Sequence, residues 1–187
     1  FDQASQLQKK GLLNNIIHCH PNSHLKRFNI DINKSINNSF LGYLNYLGRY
    51  LPNFIDNKLQ KYVTVETNLF IKKNLIKKNN KPDIFIGLSS FITKTLEYCN
   101  QNNIISIVDH GSLHPEFEKK IIIEECERIS IDHKDFIAPD WQIQRMNLEF
   151  KNAKKIIVLS DIAKKSMINL GVEGKKINIL NCGVDNN

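Results

Sequence analysis

Short apolar stretches alternate with longer amphipathic segments along the chain. The short stretches are rich in β-branched residues and predict buried strands at 13–20, 84–88, 104–108, 155–159 and 177–180. The longer segments space their apolar residues as helices do, over 2–10, 36–50, 63–78, 91–102, 116–131, 140–152 and 161–171. Strands that alternate with helices through short connections indicate βαβ units. We therefore expect an α/β fold, a Rossmann-like parallel sheet with helices on both faces.

Local signals support several of these boundaries. Gly11 follows the first helix where a helix stop is expected, and Pro52 closes the helix over 36–50. Ser160 precedes the last helix and predicts its N-cap. The chain shows no internal repeat, so its 187 residues are expected to form one well-buried domain.

Composition is that of a globular protein, with 41% hydrophobic and 24% charged residues, which argues against disorder. No apolar run reaches the ~20 residues that span a bilayer, and no signal-peptide pattern opens the chain. Four scattered cysteines without a C-x-x-C spacing are typical of reduced thiols, and favour a cytoplasmic protein without disulfides. His18 and His20 share one strand face, but no third ligand is evident, so no metal site is expected.

The chain is basic, with a net charge of +7, and much of this charge lies in lysine pairs at 9–10, 72–73, 77–78, 119–120, 154–155, 164–165 and 175–176. Their even spread favours solvated helix faces. The alternative is attraction to anionic lipid headgroups or phosphorylated ligands, with peripheral contact at the inner face of the cytoplasmic membrane. No basic block is interleaved with aromatics, so nucleic acid is not an expected partner. Helix 36–50 carries Phe40, Tyr43, Tyr46 and Tyr50. Packing is the favoured interpretation of these side chains, and membrane contact is the alternative.

Polar residues follow four of the predicted strands, most densely in IISIVDHGSLHPEF at 104–117. The carboxyl ends of parallel strands meet at one edge of a sheet, and ligands bind there. Free N–H groups at the following helix starts favour anions. The simpler interpretation of this stretch is a turn, with Gly111 at a positive φ, Ser112 as a cap and Pro115 opening a helix.

The order and spacing of several segments resemble the N-terminal domain of family 4 glycosyltransferases, which have the GT-B fold. The matching segments are D-H-G-S-L-H followed by E-E-C-E-R, then R-M-N-L-E-F-K-N-A-K-K-I-I-V-L-S, M-I-N-L-G-V and K-K-I-N-I-L-N-C-G-V-D. Three positions depart from the pattern: Lys154 stands where the family has Asp, His110 where Arg is commoner, and Cys182 where a small or aromatic residue is usual. Glu116 and Glu124 have the E-x7-E spacing of a motif that the family carries in its C-terminal domain. In this chain the spacing is interpreted as two turns of one helix face.

The resemblance implies that residues 1–181 form the acceptor-side domain, without its first strand, and that 182–187 begin the linker to a C-terminal donor-binding domain outside this chain. It implies transfer of a sugar from a nucleotide sugar to a glycan, lipid-linked or small-molecule acceptor, with retention and without metal or other cofactor. The isolated domain would be inactive. The residues implied as catalytic are His114, His110 and Asp109. Those implied in substrate binding are Gly111, Ser112, Ser89, Ser160 and Gly183.

Two other functions remain open at the level of sequence. One is a GT-B-like nucleotide-sugar epimerase. The other is a non-catalytic α/β module that binds a phosphorylated ligand or a partner protein, because one α/β scaffold hosts many functions.

Overall fold

A computed structural model describes residues 1–48, 50–77 and 81–181. Its strands all pair in parallel and alternate with helices, which confirms the α/β fold class. The strands form two sheets, one of two strands and one of four. The chain divides into two compact units, residues 1–82 and 83–187, here called the first and second units.

Within residues 1–48, 50–77 and 81–82, the first unit contains the two-stranded sheet and four α-helices. The strands are β1 (Ile16–His18) and β2 (Ser35–Asn37), paired in register from Ile16 with Ser35. The helices are α1 (Asp2–Lys9), α2 (Ser23–Arg27), α3 (Ser39–Gly48) and α4 (Asn53–Lys77). Leu13, Leu25 and Ile30 form a buried cluster in this unit.

One glycine of α3 is required by packing. A Cβ on Gly42 would lie only 2.0 Å from the carbonyl oxygen of Cys19, a backbone atom that cannot move aside easily. The backbone of α3 therefore lies directly against the chain that leaves β1, and only glycine allows this approach.

The second unit is built on the four-stranded sheet, in the order β3-β4-β5-β6. Its strands are β3 (Ile84–Leu88), β4 (Ile105–Asp109), β5 (Lys155–Val158) and β6 (Ile177–Ile179). Its helices are α5 (Thr93–Gln101), α6 (Pro115–Arg128), α7 (Asp140–Asn152) and α8 (Asp161–Asn169). Fully buried side chains from the strands, the helices and their connections make its core, among them Ile92, Leu96, Val108, Phe150, Ile156 and Met167.

Three local expectations were wrong, all in the first unit. Ile36 lies in a strand, not in a helix, because it pairs with Ile17 of β1. Helix α4 begins at Asn53, ten residues before the predicted start, and the Pro52 carbonyl accepts its first hydrogen bonds from the amides of Ile55 and Asp56. The polar segment after Pro21 contains α2.

Within the described ranges, none of the helices combines the length and the hydrophobicity needed to cross a bilayer.

Candidate functional site

The candidate site lies where β3, β4 and β5 end, at one edge of the second unit's sheet. The last residue of β3, Leu88, pairs with Asp109, and Asp109 pairs with Ile157. Two further backbone bonds extend the ladder, from the Ser89 amide to the Asp109 carbonyl (3.1 Å) and from the His110 amide to the Ile157 carbonyl (2.9 Å). The residues that follow these strands are therefore neighbours, as the parallel topology predicts.

His110 connects the ends of β3 and β4. Its Nδ1 lies 2.9 Å from Oγ of Ser89, and its Nε2 lies 2.8 Å from the carbonyl oxygen of Leu113. A carbonyl only accepts, so Nε2 carries the proton and Nδ1 accepts from the serine hydroxyl. Burial lowers the pKa of His110, against smaller opposing effects of Leu113, Glu118 and Asp109, and keeps the ring neutral. Both ring nitrogens thus have protein partners.

His114 is the N-cap of α6, with Pro115 as the first helical residue. Its Nδ1 accepts a hydrogen bond from the Glu116 amide at 3.3 Å, so the proton of the neutral ring is on Nε2. Its backbone amide donates to Oγ of Ser166 at 2.9 Å. Burial lowers the pKa of His114, and Glu116 opposes this. Among the described residues, Nε2 of His114 has no hydrogen-bond partner.

Phe150 fixes both imidazoles. Its ring meets that of His110 edge-on at 5.0 Å between centroids, and that of His114 at 5.6 Å in a tilted arrangement. The two histidines are only 5% and 3% exposed. The phenyl ring therefore packs against both imidazoles and adds to the hydrogen bonds that orient them.

The loop between the two histidines differs from the expected turn. Gly111 does not have a positive φ, contrary to the sequence interpretation, and a Cβ there would meet only Leu159, at 3.7 Å. Ser112 does not cap α6, because His114 takes that position; its hydroxyl donates to Glu118 at 3.1 Å. The backbone at Gly111 is thus left open without being strained.

The remaining predicted residues have varied surroundings. Ser160 caps α8, as predicted, and accepts from the Ala163 amide at 3.2 Å. Asp109 is the last residue of β4, half-buried beside His110. Gly183, with Cys182 and the rest of the expected linker at 182–187, lies outside the described residues.

Glu149 of α7 is a central residue of the site to which the sequence analysis gave no role. It is fully buried, and its carboxylate accepts hydrogen bonds from the Ile92 amide and the Thr93 hydroxyl, both at 2.9 Å, and from the Ser90 amide. Burial raises the pKa of Glu149, while these donors and nearby Arg145 lower it. No local side chain caps α5, so this distant carboxylate takes the place of a cap.

Arg145, one helical turn before Glu149, holds the same segment from the other side. Its Nε donates to the Ser90 carbonyl at 3.1 Å. Ser90 has a left-handed backbone (φ 79°), and its buried hydroxyl, like Nη2 of Arg145, has no hydrogen-bond partner within the part of the chain that the structure describes. Backbone strain at a non-glycine residue persists only where its surroundings hold it, and here Glu149 and Arg145 do so.

A signal for Glu149 does exist in the sequence. Ile143, Met146 and Phe150 mark the buried face of α7, and Glu149 is three residues after Met146 on that face. A carboxylate on the apolar face of an amphipathic helix indicates a buried hydrogen-bonding role. The partners of Glu149 are more than fifty residues away, so periodicity could not identify them.

The described residues contain no group of three His, Cys, Asp or Glu side chains able to hold a metal ion. His18 instead lies 2.8 Å from the Ser35 hydroxyl through Nε2, which joins β1 to β2.

These residues provide neutral donors and acceptors at a sheet edge. The Nε2–H of His114 is a donor without a partner among the described residues, and the start of α6 adds the positive end of a helix dipole. The hydroxyls of Ser89, Ser112 and Ser160 already have protein partners. The hydrogen-bonding group that this edge leaves unused is therefore the imidazole N–H of His114.

No protein-family model, curated protein or solved structure matches this chain. The family resemblance stays a prediction.

Proposed function

We propose that this chain is the acceptor-side part of a glycosyltransferase, which transfers a sugar from a nucleotide-sugar donor to an acceptor hydroxyl. The observation that carries the proposal is His114, whose neutral ring is fixed at Nδ1 by the start of α6 and keeps an unpartnered Nε2–H. A neutral N–H donor at the carboxyl edge of a parallel sheet suits the hydroxyls of a sugar.

Glycosyl transfer requires the acceptor oxygen to be held against the anomeric carbon while charge develops on the leaving phosphate. In this proposal Nε2–H of His114 donates to an oxygen of the transferred sugar or the acceptor. His110 acts as a positioning residue, because Ser89 and Leu113 occupy both of its nitrogens. The open backbone at Gly111 gives the ligand room.

The other features follow from the resemblance to family 4 glycosyltransferases. The donor would bind mainly to a C-terminal domain in the complete protein, with retention and without metal or another cofactor. The acceptor would be a glycan, a lipid-linked sugar or a small molecule.

We also propose that the first unit contacts an anionic membrane surface on the cytoplasmic side. Large aromatic and aliphatic side chains are exposed along α3 and the start of α4, including Phe40, Tyr43, Leu47, Tyr50 and Phe54. Residues 1–82 hold 13 Lys and Arg against 4 Asp and Glu, a net charge of +9, whereas residues 83–187 hold 13 against 15, a net charge of −2. Exposed aromatic side chains in a unit with excess positive charge are typical of proteins that bind at the interface of an anionic bilayer.

The test of glycosyl transfer uses the complete natural protein and a panel of radiolabelled nucleotide sugars with extracted lipid and glycan acceptors. The decisive variant is His114→Asn, because Asn can still cap α6 but lacks the Nε2–H donor. We expect sugar transfer to fall by about a hundredfold or more, and circular dichroism with urea unfolding checks that the variant, which loses the contact of the buried ring with Phe150, is still folded under assay conditions. His133→Asn, outside the site, is the matched control and should retain activity.

Two results would overturn the proposal. One is a complete protein that transfers or hydrolyses none of the donors. The other is a His114→Asn variant that folds and transfers sugar as fast as the wild type. Interconversion of a nucleotide sugar without transfer would instead support the epimerase alternative.

A further inference from the structure

The structure brings together two of the lysine pairs that are far apart in sequence. Lys154 and Lys155, at the start of β5, line one pocket with Lys175 and Lys176, just before β6, and with Lys151 near the end of α7. This pocket lies at the amino ends of β5 and β6, the edge of the sheet opposite to the candidate glycosyl-transfer site. Its volume is about 490 Å³.

The pocket is strongly cationic although its unit as a whole is not. Five lysines and Asn100 line it together with Asn152 and Ala153, and among the described residues no acidic side chain contributes to the lining. Residues 83–187 have a net charge of −2, so the positive charge is concentrated here. Among the described residues, one of these lysines forms an ion pair: Lys175 lies 2.9 Å from Glu173, on the exposed surface.

Backbone contacts explain part of this arrangement. Nζ of Lys176 donates to the Lys151 carbonyl at 2.9 Å, and Nζ of Lys155 donates to the Lys175 carbonyl at 3.2 Å. Lysines that bond to carbonyls near a helix end are common. The exposed ammonium groups of Lys151 and Lys154 have no such partner among the described residues, and each adds positive charge that an anion in the pocket would offset.

We propose that this pocket binds a small soluble oligophosphate, an anion with two or three linked phosphate groups. The lysines surround a concavity of the size of small-molecule sites. A nucleic-acid backbone would need a longer basic track, and a bilayer would need a flatter face. This site is separate from the proposed glycosyl-transfer site and does not depend on it.

The test is calorimetric titration of the full chain with sodium tripolyphosphate at about 50 mM salt, where charge screening is modest. The pocket variant is Lys151→Gln/Lys154→Gln, which removes two charges without breaking a hydrogen bond in the structure. The matched control is Lys164→Gln/Lys165→Gln on α8, which removes the same charge elsewhere in the second unit. Amide chemical shifts of 15N-labelled protein locate the binding site independently.

We expect saturable binding at a single site, with Kd raised at least roughly tenfold in the pocket variant and less than about twofold in the control. Shift changes should centre on residues 151–155 and 174–176. Absence of tripolyphosphate binding in the wild type, or equal weakening in both variants, would overturn the proposal. Binding of single-stranded DNA or of vesicles containing phosphatidylinositol phosphate through these residues, without binding of tripolyphosphate, would also overturn it.

Discussion

His110 and Ser89 form a hydrogen bond of 2.9 Å between Nδ1 and Oγ, which joins the ends of two neighbouring strands. The bond requires a neutral ring protonated at Nε2, because Nε2 donates to the Leu113 carbonyl. Protonation of the ring would replace an acceptor by a donor at Nδ1. The integrity of this edge of the sheet therefore depends on pH.

The first prediction concerns that pH dependence. The pKa values of His110 and His114 are below their ordinary value of 6.5 in the folded state, mainly because of burial. The unfolded chain therefore binds more protons, so stability is complete above about pH 6.5 and is lost as pH falls through the folded pKa values. Urea unfolding across this range should show the decline, and two-bond 15N–1H correlations should show the Nε2–H tautomer of His110. A ring that titrates above 6.5, or is protonated at Nδ1 when neutral, would contradict the assignment.

The second prediction concerns the buried carboxylate of Glu149. The Glu149→Gln variant places an amide group opposite donors that need an acceptor. We expect its free energy of unfolding to fall by about 3 kcal/mol. The control is Glu125→Gln on α6, which breaks only an exposed ion pair with Arg128 and should cost less than about 1 kcal/mol. Urea denaturation of both variants measures the difference. An equal loss of unfolding free energy in the two variants would mean that Glu149 does not hold the start of α5.

The third prediction separates folding from ligand binding at Gly111. Its backbone is not left-handed, and a Cβ would have ordinary contact with Leu159. Gly111→Ala should therefore change the free energy of unfolding by less than about 1 kcal/mol. If the ligand approaches the backbone there, the same variant should raise KM for the acceptor in the complete protein. Unaltered kinetics would place the ligand elsewhere.

The fourth prediction tests the membrane contact. Phe40 and Tyr43 are 66% and 58% exposed on α3. Phe40→Ser/Tyr43→Ser should reduce co-sedimentation with vesicles that contain about 30% phosphatidylglycerol, by roughly threefold or more. Ile131→Ser/Phe136→Ser removes exposed apolar side chains from the second unit and is the matched control. If both variants still bind the vesicles, or if the wild type binds neutral vesicles equally well, this surface is excluded as the membrane contact.

The sequence predicted those features that depend on neighbouring residues. Runs of β-branched residues located β3 to β6, and Ser160 was correctly expected to cap α8. The N-cap of α6 was assigned to Ser112 because serine is a common cap, but the structure gives this position to His114, directly before Pro115. Capping preferences are statistical, so a histidine in this role could not be anticipated.

The connections that build the candidate site could not be predicted from local patterns. Ser89 and His110 are 21 residues apart, and Glu149 is 57 residues from Ile92. Periodicity shows which face of an element is buried, but not which distant backbone groups it meets there. The helix start in the first unit was missed for a related reason, since the apolar residues at the beginning of α4 are exposed and do not mark a buried face.

The cap that Glu149 provides has a consequence for the order of folding. Closing a loop of this length carries a large entropic cost, so the start of α5 cannot gain its capping hydrogen bonds to Glu149 until α7 has docked on the sheet. The amides of Ser90 and Ile92 should then exchange with solvent only when the second unit opens as a whole, although they lie at the end of a helix, where fraying is usual. The segment that connects β3 to α5 would thus be among the last to form and, once formed, among the best protected against hydrogen exchange.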